Sequence, residues 1–192
     1  MKIVGITGGI GSGKSSVCNV IEELGYPVYI ADSAAKRLMQ TDQGLIESIS
    51  SEFGGSIYRE GALDRTALAK VVFNASEKLQ KLNALVHPVV AKDFEAWCQK
   101  QINEIVFKEA AILFETGGYK LVDKTVLVYA PEQDRISRVI NRDNVTRDEV
   151  LARMKHQWTD ERKIPLADHV IENYNGHLLI PQVIKLIKDL GE

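Results

Sequence analysis

The chain has 192 residues, of which 45% are hydrophobic and 26% charged, values typical of a soluble globular protein with a single domain. Its formal net charge of −2 gives no bulk attraction to nucleic acid, so a bound anion would need lysines and arginines placed locally. No apolar run approaches the length of a membrane span, and the first residues lead straight into a strand rather than a secretory signal. Cys18 and Cys98 lack metal-binding or redox spacing. We therefore predict a cytoplasmic protein with reduced thiols and with no nucleic-acid or membrane partner.

The first predicted elements are a strand, a glycine-rich loop and a helix. A short β-prone apolar run at residues 2–7 leads into the stretch GITGGIGSGKSS, and residues 8–15 match the pattern Gly-x-x-x-x-Gly-Lys-Ser. Apolar residues after Lys14 then recur at the spacing of one helix face. A loop that wraps phosphates must turn tightly and point its N–H groups inward, and the following helix N-terminus favours an anion. A glycine-rich turn without a ligand is the alternative.

This order predicts a nucleotide phosphate site. Lys14 would reach the β- and γ-phosphates, and the Ser15 hydroxyl would be a ligand of Mg²⁺. The predicted nucleotide contacts are Gly9, Ile10, Gly11, Ser12, Gly13, Lys14, Ser15 and Ser16.

A second strand and a long helical region come next. Gly25 and Pro27 end the first helix, and residues 28–31 read as a strand, which makes a βαβ unit and a parallel sheet. The region from about residue 33 to 100 is longer than one crossover needs, so we expect it to be an acceptor-binding region. Helices are predicted in it at residues 34–39, 45–53, 65–73, 77–86 and 89–100.

The remaining chain alternates between strands and helices, as an α/β fold requires. The predicted strands are 104–107, 125–129 and 169–171, and the predicted helices are 131–142, 148–161 and one that buries Leu179, Val183, Leu186 and Leu190.

Asp32 follows the second strand, where ligands of an open parallel sheet bind. Its carboxylate could accept a proton from an attacking hydroxyl or help to hold the metal. The alternative is that Asp32 is only the N-cap of the next helix, a task that Ser33 could also perform.

Arginines at helical spacing mark the stretch RISRVINRDNVTRDEVLARMK. Guanidinium groups suit the negative charge that accumulates on a transferring phosphoryl group, so we predict a lid at about residues 138–162. Arg142 is the first candidate for a catalytic arginine and Arg138 the second. The alternative is a solvated helix face with pairs such as Arg142 with Asp143.

Three further side chains are candidates. Glu109 and Glu115 flank an apolar run and could support Mg²⁺ or the acceptor, or could be plain surface acids. His87 precedes Pro88, which favours an extended backbone at His87, although a core or helix-terminal histidine is the more common role. The chain has no Asn-Lys-x-Asp stretch, which argues against a GTPase.

Five stretches in this order resemble the dephospho-CoA kinase family: TGGIGSGKSS, LNALVHP, AAILFE, NRDNVTRDEVLARMKHQ and ADHVIENYNG. Two positions depart from the family's pattern. The stretch after the second strand keeps one acid, Asp32, where the family has Asp-Ala-Asp, and Glu109-Ala110-Ala111 stands where the family has Asp-x-Pro. The first departure favours a role that Asp32 performs without a second acid. The second departure weakens the assignment of Glu109.

The resemblance implies a three-layer P-loop kinase fold with a parallel sheet, a helical substrate-binding insertion and a helical lid. It implies ATP and Mg²⁺ as cofactors, and transfer of the γ-phosphoryl group to the ribose 3′-hydroxyl of dephospho-CoA by a monomer or weak homo-oligomer. It places Asn173 and Asn175 near the adenine of ATP, and Asp32, His87 and Glu115 near the acceptor. A nucleoside-monophosphate or shikimate-type kinase and a slow nucleotide-hydrolysing switch protein remain alternatives.

Overall fold

A computed structural model describes residues 1–59, 61–73 and 75–191. The chain forms two compact units, one of Met1–Ile30 with Gln101–Glu192 and one of Ala31–Lys100. We call them the loop unit and the helical unit. No helix in the described ranges combines the length and the apolar character that a membrane crossing requires.

Strands and helices alternate along the loop unit, whereas the helical unit consists mostly of helices. The strands are β1 (Lys2–Thr7), β2 (Val28–Ile30), β3 (Tyr58–Arg59), β4 (Ala62–Leu63), β5 (Ile105–Glu109), β6 (Lys124–Tyr129) and β7 (His169–Glu172). The helices are α1 (Lys14–Glu23), α2 (Ala31–Thr41), α3 (Gln43–Phe53), α4 (Arg65–Phe73), α5 (Ser76–Cys98), α6 (Glu132–Asp143), α7 (Arg147–Met154), α8 (Asp160–Lys163) and α9 (Leu179–Gly191).

The loop unit is built on a five-stranded parallel sheet in the order β2-β5-β1-β6-β7. The predicted parallel α/β sheet is therefore confirmed, and β5 separates β1 from β2. Ile30 pairs with Glu109, and Glu109 pairs with Ile6, so these three residues lie in one row across the sheet. Because strands are about 5 Å apart, the last residue of β2 lies about 10 Å from β1 at the carboxyl edge.

One face of the sheet packs against α1 and α9. Buried residues of β1, β5, β6 and β7 form a cluster with Val17, Cys18 and Ile21 of α1 and with Val183, Leu186 and Leu190 of α9. The prediction of a closing apolar helix is confirmed, and Cys18 is a small buried residue in α1, 1% exposed. The first turn of α1 is thereby fixed against the sheet.

The helical unit differs from its prediction at Pro88. The expected break there is absent, because α5 runs through Pro88 and His87 lies inside the helix rather than in extended backbone. An internal proline costs a helix about 3 kcal/mol, and the packing of α5 against α2, α3 and α4 outweighs this local preference. Strands β3 and β4 form a short antiparallel hairpin that the helical pattern did not predict.

A second difference lies after α6. One helix was predicted over residues 148–161, and the structure instead has α7 and the one-turn α8 with a non-helical stretch between them. In that stretch the Trp158 N–H donates to Glu115 Oε1 at 2.8 Å instead of to a helical carbonyl. The first turn of α7 carries a capping box in which the hydroxyl of Thr146 and the carboxylate of Glu149 satisfy each other's backbone N–H groups.

Candidate active site

A cavity of about 330 Å³ opens at the carboxyl edge of the sheet in the loop unit. It is surrounded by the glycine-rich loop, the first residues of α1, the last residue of β5 and one side of α6. They are Gly11, Gly13, Lys14, Ser15, Glu109, Arg138, Val139 and Arg142. The predicted phosphate loop, one acidic candidate and both preferred arginines therefore face the same space.

The Lys14 side chain reaches back across the loop toward Gly8 and Glu109. Its Nζ donates to the Gly8 carbonyl at 3.0 Å and lies 3.9 Å from Glu109 Oε1. Glu109 is only 6% exposed, so the surface-acid alternative is wrong for this residue. The ammonium group thus stands at the cavity wall, where an anion can replace part of its contact with Glu109.

The start of α1 lies at the cavity. Ser15 and Ser16 are exposed in its first turn, and Ser15 lines the cavity. Among the described residues, none caps this helix start through its side chain. Uncapped N–H groups at a helix N-terminus, together with the helix dipole, favour an anion here.

Other residues of the predicted nucleotide loop contact the protein rather than the cavity. The Ile10 N–H donates to Gln157 Oε1 at 2.8 Å, and the Ile10 side chain packs against the buried cluster of α6 and α7. Asn173 Nδ2 donates to the Ser12 carbonyl at 2.8 Å, which joins the end of β7 to the loop. Asn175 lies in the turn between β7 and α9.

The two candidate arginines have different partners. Arg138 donates to the Asn173 carbonyl at 2.8 Å and to the Gly11 carbonyl at 3.4 Å, so it links α6 to the loop. Arg142 forms a 2.7 Å ion pair with Asp143, the pair that the alternative of a solvated face anticipated. Hydrogen bonding to Asp143 raises the pKa of Arg142, and the pKa of Asp143 is lowered by Arg142 and Arg153. Arg142 lines the cavity while it keeps this pair.

Three acceptor candidates lie elsewhere. Asp32 is exposed in the first turn of α2, and because this helix begins at Ala31, neither Asp32 nor Ser33 precedes it as an N-cap. His87 is exposed on α5. Glu115 is absent from the cavity wall: it accepts a hydrogen bond from the Trp158 N–H at 2.8 Å and pairs with Lys163, also at 2.8 Å.

No role was predicted for Arg135, which begins the arginine-rich stretch, or for Asp160 and Gln157. Arg135 is 7% exposed, Asp160 is 8% exposed, and their side chains are 2.8 Å apart. The spacing of Arg135 and Arg138 is visible in the sequence. Which face of α6 turns toward the loop depends on packing.

Comparison with known proteins identifies the family of this chain. A dephospho-CoA kinase family model matches residues 2–178. The chain belongs to the dephospho-CoA kinase family. A dephospho-CoA kinase of Salinibacter ruber is 45% identical over 177 residues, which are 90% of this chain and 89% of that protein.

Two solved structures share the fold. The crystal structure of TT1252 from Thermus thermophilus has a TM-score of 0.89 and 35% identity, with 98% of this chain and 97% of that chain covered. Dephospho-CoA kinase from Campylobacter jejuni has a TM-score of 0.71 and 27% identity, with 99% and 98% covered. The predicted P-loop kinase fold, with its parallel sheet, is confirmed.

Proposed function

We propose that the chain transfers the γ-phosphoryl group of ATP to the ribose 3′-hydroxyl of dephospho-CoA and so produces CoA and ADP. The observation that carries this proposal is the cavity in which Lys14, the uncapped start of α1 and two arginines converge in a chain of this family. Phosphoryl transfer asks a protein mainly to position groups and to stabilise charge, and these residues do both.

The positive groups of the cavity are placed for a polyphosphate. Lys14 approaches from the loop, whereas Arg138 and Arg142 approach from α6. We assign the β- and γ-phosphates to Lys14 and the start of α1. Arg142 would meet the charge that develops on the transferring group, since its pairing with Asp143 leaves it on the cavity wall.

Ser15 and Glu109 fit Mg²⁺, which prefers oxygen ligands and retains several waters. Both line the cavity, and together they offer one hydroxyl and one carboxylate. The ion would neutralise phosphate charge when bound. We assign Ser15 as its direct protein ligand and Glu109 as the group that holds its water, while Glu109 also orients Lys14.

We assign Asp32 as the group that orients the acceptor hydroxyl and accepts its proton. Ile30, the last residue of β2, lies in one row with Glu109 and Ile6, and Asp32 follows it by two residues. The helical unit that begins at Ala31 would bind the rest of dephospho-CoA, with His87 as a candidate contact. Because Glu115 is paired with Lys163, we assign it a structural role instead.

An acceptor screen tests the proposal. Purified protein with ATP and Mg²⁺ is incubated in turn with dephospho-CoA, nucleoside monophosphates and shikimate, and ADP is measured. We expect ADP to form rapidly only when dephospho-CoA is the acceptor. Rapid ADP formation with another acceptor would identify a different small-molecule kinase, and phosphate release independent of any acceptor would identify a hydrolysing switch.

We further propose that the protein acts in the cytoplasm as a monomer or weak homo-oligomer. Size-exclusion chromatography with light scattering at several protein concentrations checks the state. A stable oligomer at the lowest measurable concentration would overturn it.

A further inference from the structure

Arg135 lies directly beneath the glycine-rich loop. It stands three residues before Arg138 on α6 and is 7% exposed. A β-carbon added to Gly9 would overlap its guanidinium group, and one added to Gly11 would overlap its backbone carbonyl. Gly11 also has a φ of 79°, which side chains other than that of glycine adopt rarely. At Gly9 and Gly11 the loop backbone therefore packs against Arg135 without room for a methyl group.

The guanidinium group of Arg135 is itself held by two partners. Its Nε donates to the Ala130 carbonyl at 3.0 Å, and its Nη2 donates to Asp160 Oδ2 at 2.8 Å. Burial raises the pKa of Asp160, an effect that the positive charge of Arg135 opposes. The planar fork of the side chain is thus fixed between Ala130, which follows β6, and Asp160 of α8, next to the loop.

Asp160 belongs to a stretch that also contacts the loop directly. We call residues 157–163 the brace segment. Gln157 accepts from the Ile10 N–H and donates to the Ala111 carbonyl at 3.0 Å, and Lys163 pairs with Glu115. The brace segment therefore fastens the loop at Ile10 and, through Arg135, at Gly9 and Gly11.

We propose that Arg135 and Asp160 are positioning residues that hold the loop in the shape that receives nucleotide phosphates. The proposal rests on the proposed nucleotide-binding function of this loop. Neither residue lines the cavity, so they act through the loop backbone and not on the nucleotide. A glycine-rich loop is expensive to order, and a loop that is already ordered leaves more of the contact free energy for binding.

The test is the affinity of folded variants for the Mg²⁺ complex of AMP-PNP, a non-hydrolysable ATP analogue. Arg135→Met keeps most of the side-chain length and removes the guanidinium group. We expect the dissociation constant from calorimetry, measured well below the unfolding temperature, to rise about tenfold. We expect the KM for dephospho-CoA to stay close to that of the parent chain.

Thr125→Val provides a matched control. Thr125 is 4% exposed near the amino end of β6, and its hydroxyl donates to Asp168 Oδ2 at 2.8 Å. It lies about 10 Å along the strand from Val128, whose carbonyl is next to Gly8. Thr125→Val should lower the unfolding temperature and leave AMP-PNP affinity unchanged. If Arg135→Met lowers the unfolding temperature but also leaves AMP-PNP affinity unchanged, the pair has only a structural role and the proposal is wrong.

A double variant keeps the test decisive if Arg135→Met does not fold. Arg135→Gln with Asp160→Asn removes both charges at once and leaves no buried charge without a partner. Weaker AMP-PNP binding by the folded double variant supports positioning, and unchanged binding overturns it. A parent chain that binds AMP-PNP but does not phosphorylate dephospho-CoA would refute the proposed acceptor alone. A parent chain that does not bind AMP-PNP would overturn both proposals.

Discussion

The loop unit and the helical unit differ in where they keep their charges. In the described ranges, every buried polar or charged side chain belongs to the loop unit, and these are Thr7, Ser12, Glu109, Thr125, Arg135, Asp160 and Lys163. The ion pairs of the helical unit are partly exposed, as in Arg59 with Asp64, whose side chains are 74% and 28% exposed. Burying a charge costs free energy even when it is paired. In the loop unit, the buried charges of Glu109 and Arg135 lie next to the glycine-rich loop.

Breaking a buried pair should have the largest effect. Lys163→Met removes a fully buried ammonium and leaves Glu115, whose side chain is 11% exposed, without its cation. We expect the free energy of unfolding to fall by about 3–5 kcal/mol. Urea denaturation measures the loss. Arg59→Gln is the control from the helical unit, with an expected loss of about 0–1 kcal/mol. Similar losses for the two variants would contradict the contrast between the units.

Lys14→Ala should remove activity without unfolding the loop unit. Its Nζ donates to the Gly8 carbonyl and lies 3.9 Å from Glu109 Oε1, and its charge is expected to meet the β- and γ-phosphates. We expect kcat to fall by at least about 10²–10³-fold, as when one preorganised charge-stabilising group is removed. Steady-state kinetics and a thermal melt measure the two effects. Near-normal turnover would refute the assignment of the phosphate loop.

Asp32→Asn tests whether an exposed acid of the helical unit serves the chemistry. Asn keeps the size and removes the proton acceptor, so single-turnover transfer to dephospho-CoA should fall by about 10²-fold, the low end for acid–base catalysis. ATP binding should persist. Asp42→Asn is the control: Asp42 caps α3 by accepting from the Leu45 N–H, and Asn caps equally well. A fully active Asp32→Asn enzyme would remove Asp32 from the mechanism.

Arg142→Ala should give the smallest effect. We expect kcat to fall about tenfold with a smaller loss of ATP affinity, because a positive charge matters most where transition-state charge accumulates. Circular dichroism checks that losing the Asp143 pair does not unfold the end of α6. Arg147→Ala, whose guanidinium contacts Gln133 outside the cavity, should be nearly silent. A loss of ATP affinity with unchanged kcat would make Arg142 a ground-state contact.

Features that depend on local pattern were predictable from the sequence. The strand, glycine loop and helix around Lys14 follow from the Gly-x-x-x-x-Gly-Lys-Ser motif and the apolar spacing after it. Helix α9 follows from a second run of apolar residues at helical spacing. The parallel sheet follows because such a loop between a strand and a helix makes a βαβ unit. The roles of Asp32, Asn173 and Arg142 remain predictions, although the structure places Arg142 on the cavity wall.

Other features were decided only by tertiary packing. Strand β5 lies between β1 and β2, which brings Glu109 to Lys14, and no local pattern encodes the order of strands in a sheet. Helix α5 continues through Pro88 because its contacts with other helices outweigh the local penalty of proline. Helix periodicity told us that α6 carries arginines on one side, but not which arginine would be buried.

A phosphate-binding loop at the end of a buried strand is predictable from the residues alone, because glycine, lysine and serine at this spacing are typical of such a loop. What supports that loop depends on tertiary packing. Arg135 and Asp160 are 25 positions apart, and their pairing beneath Gly9 depends on where α6 and α8 pack. Because both side chains are buried, each charge needs the other as a partner. Their burial depends on the packing of the whole folded chain.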